Sequence, residues 1–373
     1  MHTSVALLLE LGVILAVLSV LGALARRFAL SPIPLYLLAG LLLGEGGLAT
    51  VPAAGEFVEI GGSIGVVLLL LTLGLEFSVG ELTASMRRHL PSALVDGMLN
   101  AAPGALAGWL LGLNALGILA LAGATWVSSS GIVSRLLGDL DRLGNRETGA
   151  VLSVLVLEDF AMAVYLPPLA VLAAGGSWWQ AILSAMIASA ALGTAFLITR
   201  RWSGPIGRAL SHPEPEQLLL RILGVTLIVA GLAELSGASA AVGAFLVGLC
   251  LSGPVADRAR VVLSPLRDLF AALYFLAIGF AVAPDALLPA LPAAIALAVA
   301  TATTKVVSGA YAAARDGVGR RGRLRAGVAL IPRGEFSLVI VGLTATAVPG
   351  LNALTSAYVL ILAAVGPVLA RLT

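Results

Sequence analysis

Two carboxylates stand side by side in an apolar stretch of the chain that contains no basic residue. Glu158 and Asp159 lie within residues 151–169, which are otherwise almost entirely apolar. An ionised carboxylate at the centre of a bilayer costs roughly 3 kcal/mol or more on insertion scales, and two neighbouring carboxylates also repel each other. At least one of them is therefore expected to hold a proton or to bind a cation. The alternative is a buried pair that a basic partner locks in place for structure alone.

Two basic residues also lie inside apolar stretches. Lys305 is the only lysine of the chain, and Arg333 is the one arginine that lies deep inside a predicted span. Depth follows from counting about 1.5 Å per residue from the arginine-bearing ends of these stretches. The count places five groups roughly 12–17 Å deep, near the middle of a bilayer about 30 Å thick: Thr125, Glu158, Lys305, Arg333 and Glu335. One layer shared by side chains from four segments is the layout of a midplane transport site.

Two of these segments carry helix-breaking residues at the same depth, at 124–131 and at 331–335. Ser, Gly and Pro weaken a helix there and leave backbone groups that need a partner or a wet cavity. Each break alone could be a kink without function, but breaks at corresponding positions of two halves indicate a transporter with inverted repeats. The residues at these two predicted breaks include Thr125, Ser128, Ser129, Ser130, Pro332, Arg333, Gly334 and Glu335.

The composition places these segments in a membrane. Of the 373 residues, 59% are hydrophobic and only 11% are charged, whereas a soluble domain carries about 25% charge. A helix needs roughly 20 apolar residues to cross the hydrocarbon. The sequence therefore predicts an all-α polytopic membrane protein with about thirteen transmembrane helices. Their expected limits are 4–25, 31–49, 57–77, 90–111, 115–136, 148–173, 178–199, 216–234, 237–253, 263–283, 285–312, 326–347 and 352–371.

The arginines predict the orientation of these spans. Every arginine except Arg333 falls on one side, in a loop, at the adjoining end of a span or near the C-terminus. The positive-inside rule makes that side cytoplasmic, with the N-terminus outside and the C-terminus inside, in the plasma membrane. The first apolar run has no basic residues before it, so we interpret it as a retained span rather than a cleaved signal.

Other classes of site find little support in the sequence. Cys250 is the only cysteine, which excludes an internal disulfide and a cysteine metal cluster. The histidines, His2, His89 and His212, fall outside the predicted spans and are expected to be solvated rather than metal ligands. No His-based acid–base set, nucleophile elbow, phosphate loop or nucleic-acid module is present. We therefore expect neither an enzyme nor a nucleic-acid-binding protein, and no cofactor.

Several motifs, weak singly but strong in their order and spacing, carry a family resemblance. The chain resembles the membrane domain of the monovalent cation:proton antiporter-2 family, the Kef-type and Na+/H+ exchangers, over nearly its whole length. The matching segments are 8–12 through 26–27, 34–44, 69–77, 233–237 with 243–248, and 325–340.

The resemblance implies a Na+/H+ antiporter-like fold with a dimerisation panel, a mobile core panel and two broken helices that cross beside the acid-bearing helix. It places Asp159 at the family's cation- and proton-carrying aspartate. Lys305 matches a lysine that some relatives pair with the first acid. Glu158 departs from the usual residue at its position, so the stoichiometry stays open.

The function predicted is secondary active exchange of Na+, Li+ or K+ for protons by alternating access. Asp159, with Glu158, would bind either a monovalent cation or protons, and that competition alone produces exchange. Lys305 would pair with Glu158, either as a static support or as a proton carrier. Two alternatives stay open: a gated K+ efflux channel, and a sodium-coupled symporter of a small organic anion.

The remaining expectations concern organisation and partners. Residues 1–373 are predicted to form one transmembrane antiporter domain, with inverted repeats at about 1–173 and 216–373 and no cytosolic regulatory domain. The expected partners are the lipid bilayer and a second copy in a homodimer, and a separate cytosolic regulatory subunit stays open. Arg333 and Glu335 are interpreted as a structural pair. Glu10, Glu76 and Asp96 receive no role.

Overall fold

The computed structural model of the chain describes residues 2–27, 32–44, 51, 53–76, 79–235, 240–251, 253–280 and 284–373. Within these ranges all regular structure is α-helical. The helices in chain order are α1 (His2–Arg27), α2 (Ile33–Leu43), α3 (Gly55–Glu76), α4 (Val79–Leu110), α5 (Ala115–Trp126), α6 (Ser130–Asp139), α7 (Thr148–Ala173), α8 (Trp178–Leu210), α9 (Pro215–Leu235), α10 (Ala240–Cys250), α11 (Pro254–Phe280), α12 (Pro284–Arg315), α13 (Arg320–Ala329), α14 (Glu335–Thr344) and α15 (Leu351–Arg371).

These helices follow the predicted spans. Each span corresponds to one helix, except the fifth and the twelfth, which are divided into α5 with α6 and α13 with α14. Among the described residues, 8 segments are long and apolar enough to cross a membrane by themselves. The prediction of an all-helical membrane protein with two broken helices is therefore confirmed.

Some helices run further than the hydropathy predicted. Helix α4 begins at Val79 rather than near 90, and α11 begins at Pro254 rather than near 263. The added turns carry arginines, so a boundary drawn by apolar character falls inside the true helix. The extra turns of α4 bury His89, which is only 4% exposed. The expectation that His89 is solvated is wrong, because the chain after α12 covers it.

One compact unit contains the whole predicted site and consists of Met1–Val58, Ser85–Met162 and Phe275–Thr373. In it, α12 packs against α13 and α15, and α14 packs against α5 and α15. A Cβ on Gly309 of α12 would lie 2.6 Å from the Cα of Gly327 in α13. Small residues let helix backbones approach this closely in lipid. The contact brings Lys305, one turn before Gly309, next to the break that follows α13.

The second compact unit consists of Glu59–Ala84 and Ala163–Tyr274. Its helix α10 packs against α8 and α9. A Cβ on Gly248 of α10 would lie 2.9 Å from the Cα of Gly74 in α3, so these two helices also meet at small residues. The predicted site residues all lie outside this unit.

An apolar cluster joins α6, α7, α12 and α13 between the crossing and the arginine-bearing loops. Val133 and Leu137 of α6 pack with Val151 and Leu155 of α7, and Leu330 follows α13. All five side chains are almost completely buried. This cluster closes that part of the unit to water.

Candidate functional site

The two broken helices cross and hydrogen-bond to each other through their breaks. The backbone N–H of Ser129 donates to the carbonyl of Pro332 at 2.9 Å. The hydroxyl of Ser128 donates to the carbonyl of Leu330, also at 2.9 Å. Each break thus supplies donors or acceptors that the other needs, which is how non-helical backbone is tolerated at membrane depth.

Close packing fixes the crossing sterically. A Cβ on Gly334 would lie 2.8 Å from the Cβ of Ser129, closer than real side chains approach. The hydroxyl of Ser337 donates to the carbonyl of Ala124 at 2.7 Å and ties α14 to α5. Ser130 is the first residue of α6. The predicted crossing segments therefore meet, and glycine at 334 is required by space.

Arg333 satisfies the carbonyl ends of both broken helices. Its guanidinium donates to the carbonyl of Thr125 at 2.9 and 3.2 Å. It also donates to the carbonyls of Leu330 and Ile331 at 3.1 and 2.9 Å. These carbonyls end α5 and α13, where helix dipoles place partial negative charge. The predicted partner, Glu335, begins α14, but its side chain lies outside the described part of the chain.

Glu158 contacts the crossing from α7. One carboxylate oxygen, Oε2, accepts the backbone N–H of Ser128 at 2.7 Å. That N–H lies in the break, just before α6, where helix dipoles place partial positive charge. The side chain of Glu158 is 1% exposed, so its charge has no access to bulk water and depends on these partners.

Lys305 lies between two carboxylates. Its ammonium donates to Oε1 of Glu158 and, at 2.7 Å, to Oδ2 of Asp96 on α4. All three side chains are buried. With each group in its usual ionised form, two carboxylates and one ammonium leave one negative charge in excess. Taking such charges out of water costs several kcal/mol per ion, which only close pairing can offset.

Asp96, which the sequence left without a role, lies at this site. Its second oxygen, Oδ1, accepts from the hydroxyl of Ser308 at 2.6 Å and from the amide of Asn100 at 2.9 Å. The hydroxyl of Thr304 donates to the amide oxygen of Asn100 at 2.8 Å. The regular spacing of Asp96 and Asn100 along α4 was the available signal, since polar residues four apart share a helix face.

Asp159 follows Glu158 on α7 and is also buried, at 3% exposure. Consecutive side chains on a helix point about 100° apart, because a turn contains about 3.6 residues. The two acids therefore face different directions. Glu158 is directed towards Lys305 and the crossing, and Asp159 is directed elsewhere around α7.

Glu10 and Glu76 are the other two acids to which the sequence assigned no role. Glu10 accepts the backbone N–H of Ala54, just before α3, at 2.8 Å. It therefore holds the start of a helix in place. The side chain of Glu76 lies outside the described residues.

Buried ionisable side chains beside two crossing broken helices define the class of protein: a secondary transporter with an antiporter-like fold. A solved structure supports this fold, the sodium proton antiporter MjNhaP1 from Methanocaldococcus jannaschii at pH 8. The similarity has a TM-score of 0.70 at 16% identity and covers 98% of this chain and 96% of that one.

Comparison by sequence supplies the family. The chain matches the family described as sodium/hydrogen exchanger, transmembrane, over residues 13–371. The K+/H+ antiporter subunit KhtU of Bacillus subtilis is 31% identical, and the match covers 98% of this chain and 93% of that protein. The ammonium/H+ antiporter subunit AmhT of Alkalihalophilus pseudofirmus is 27% identical, over 96% and 91%. The chain belongs to the sodium/hydrogen exchanger family of membrane transporters, and its activity is antiport of a monovalent cation against protons. The channel and symporter alternatives are not favoured.

Proposed function

We propose that Asp159 and Glu158 form the site at which the transported cation and protons compete. The observation that carries this proposal is the buried ammonium of Lys305, held between Glu158 and Asp96 beside the crossing. An ammonium bound to a buried carboxylate occupies the place that a transported cation would take. Carboxylate oxygens are hard ligands, which suit alkali cations.

The competition gives a simple exchange cycle. In the arrangement described, Lys305 and the N–H of Ser128 balance the charge of Glu158. A monovalent cation that binds at Asp159 draws one oxygen of Glu158 away from Lys305. Asp96 keeps the ammonium paired while this happens. Protons that arrive at the acids release the cation, and exchange follows if the two loaded forms open to opposite sides of the membrane.

The cation is expected to be K+ or Na+, with Li+ as a further substrate. Among relatives, KhtU is named for K+, AmhT for ammonium, and NhaS3 of Synechocystis for Na+. These names differ in ion but agree in charge. Two carboxylates and a lysine recognise that single charge, whereas the spacing of the coordinating oxygens selects the ion.

We also propose an orientation in the membrane and two kinds of assembly for the transporter. The one-sided arginines support a plasma-membrane protein with the N-terminus outside and the C-terminus in the cytoplasm. KhtU and AmhT are both named as antiporter subunits, which supports a separate regulatory subunit on the arginine-bearing side. A homodimer follows from the family resemblance. Cross-linking and mass measurement of the purified protein in detergent test both assemblies.

The test of the site is proton flux in proteoliposomes that contain a pH-sensitive dye. Addition of K+, Na+ or Li+ outside should release protons in wild type, and the responding ion identifies the cation. Asp159→Asn should abolish the response. Glu158→Gln should retain exchange with altered charge movement, measured as membrane potential. Glu216→Gln makes the same chemical change at an exposed acid on α9 and should behave as wild type. Full exchange by Asp159→Asn would refute the assignment.

A further inference from the structure

Buried polar residues form a continuous stripe along α4. The residues are His89, Ser92, Asp96 and Asn100, and each is at most 4% exposed. Their spacing of three or four residues puts them on one helix face. The residues on the opposite face are apolar and exposed, as Leu94 at 55% shows. Helix α4 thus has buried polar side chains on four successive turns. Lys305 pairs with only one of them, Asp96.

Helix α12 presents a matching stripe. It contains Thr301, Thr304, Lys305 and Ser308, also spaced for one face. The two stripes meet in hydrogen bonds from Lys305 and Ser308 to Asp96 and from Thr304 to Asn100. We name these two facing stripes the polar seam.

One end of the polar seam reaches the arginine-bearing surface. The Nε2 atom of His89 lies 3.5 Å from Oδ2 of Asp316, just after α12. The other oxygen of Asp316 accepts from Arg88 at 2.9 Å, and the side chain of Arg88 is 66% exposed. Arg315 is the remaining charged group that acts on His89. The seam therefore begins at water and ends at the Lys305 cluster.

Between these ends, two buried polar atoms lack a protein partner among the described residues: Nδ1 of His89 and Oγ of Ser92. Buried polar groups are almost always hydrogen-bonded, and internal water serves those that protein atoms do not reach. Side chains one helical turn apart are about 5.4 Å apart along the axis, a gap that one water bridges. Ser92 lies one turn from Asp96 and less than one turn from His89.

We propose that, while the site is open to the arginine-bearing side, the polar seam conducts protons between that surface and the Lys305 cluster, through His89, Ser92 and Asp96. The proposal rests on the antiport function above and adds a proton route separate from the cation's. With Nε2 of His89 facing the carboxylate of Asp316, the neutral ring carries its proton on Nε2. A proton that reaches Nδ1 from the water beside Ser92 is matched by release of the Nε2 proton on the Asp316 side, and the reverse transfer moves a proton inward. A histidine relays protons in this way through its two nitrogens.

A neighbouring region between the same surface and the crossing is lined by apolar side chains. The cluster of α6, α7, α12 and α13 that lies there consists of alanines, valines and leucines, which do not relay protons. The polar seam, in contrast, places groups that can exchange protons one after another among the described residues.

Ser92→Ala tests the proposal in proteoliposomes, with the cation that wild type transports at saturating concentration. The maximal exchange rate should fall about tenfold, less than the roughly 100-fold or more that a positioned proton-transfer group supplies, since water can partly replace the hydroxyl. The half-saturating cation concentration should stay within about twofold, and the rate should slow further in D2O. Ser92→Thr restores a hydroxyl and should recover the rate. His89→Gln, which cannot relay, should reproduce the defect.

The control is Thr303→Val, an isosteric change on the exposed side of α12, which should leave the rate and isotope effect at wild-type values. Wild-type exchange rates in both Ser92→Ala and His89→Gln would refute the proposed proton route along the polar seam. So would a Ser92→Thr protein as slow as Ser92→Ala, because the defect would then be steric, or a loss expressed only as weaker cation binding. If Ser92→Ala does not fold, His89→Gln decides by the same criteria. A wild-type protein that exchanges no cation would instead overturn the antiport function itself.

Discussion

Replacement of Lys305 by methionine removes the one charge that two buried carboxylates share. Methionine has a similar length and is apolar, so the change removes the ammonium with little loss of volume. Asp96 and Glu158 then face each other without a cation in a site shut off from water. Breaking a buried ion pair by removing one partner costs about 3–5 kcal/mol. We expect Lys305→Met to lower the free energy of unfolding by about this amount.

Two comparisons test whether the loss of stability in Lys305→Met comes from the unpaired carboxylates. Asp96→Asn leaves Lys305 paired with Glu158, so its cost should be clearly smaller than that of Lys305→Met. The cost of Lys305→Met should also shrink as the pH falls, because protonated carboxyls need no counter-charge. Chemical or thermal unfolding in detergent, followed by tryptophan fluorescence at several pH values, measures both. Thr303→Val on the exposed side of α12 should stay within about 0.5 kcal/mol of wild type.

Two results would contradict the expectation that Lys305→Met leaves two unpaired buried carboxylates. One is a Lys305→Met protein that unfolds within about 1 kcal/mol of wild type at alkaline pH, where a broken buried pair should cost about 3–5 kcal/mol. The other is a loss that does not change with pH. Either would mean that water reaches the cluster or that the carboxylates do not carry charge together.

Three further outcomes are expected. Asp159→Asn should abolish cation-dependent proton flux while its melting temperature stays close to that of wild type. Gly334→Ala should cost about 1–3 kcal/mol of stability, because its Cβ meets Ser129, whereas Gly224→Ala, which meets nothing, should melt no lower than wild type. Burial lowers the pKa of His89, which lies outside the predicted span, below its ordinary value of 6.5, although a neighbouring carboxylate opposes this. The unfolded chain therefore binds more protons near that pH, and stability falls with acidification; His89→Gln should lose less melting temperature than wild type between about pH 7 and pH 5.

The sequence predicted the fold well because the bilayer leaves few options. A chain that crosses lipid must form helices of known length, so apolar runs and charged interruptions locate them. Ser, Gly and Pro at mid-depth located both breaks, at 127–129 and 330–334. Helix ends were less accurate, as at α4, because hydropathy reports where the hydrocarbon ends and a helix can continue beyond it.

The site was harder to predict because depth gives only one of the coordinates that define a contact. Counting residues placed Glu158 and Lys305 in one layer, and the structure brings them together. The residue count did not show that Asp96 faces the same lysine, because depth does not give the rotation of a side chain about its helix axis. Hydrogen bonds from side chains to backbone carbonyls could not be predicted either, because the sequence pattern pairs side chains with side chains. The three carbonyls that accept from the guanidinium of Arg333 were therefore not predicted, and its pairing with Glu335 stays a prediction.

Lys305 and Arg333, the buried cations of the described site, are not interchangeable. A guanidinium is planar, has five donors and keeps its proton at any physiological pH, whereas an ammonium is compact and can change partners. At position 333 the rigid fork spans three carbonyls from two helices, so the architecture of the crossing stays constant over the pH range in which the transporter works. At position 305 a small mobile head can leave one acid and keep the other. A designer who wishes to alter ion preference should therefore leave the arginine untouched and vary the surroundings of the lysine, because the lysine is the charged group of the described site that can change partners.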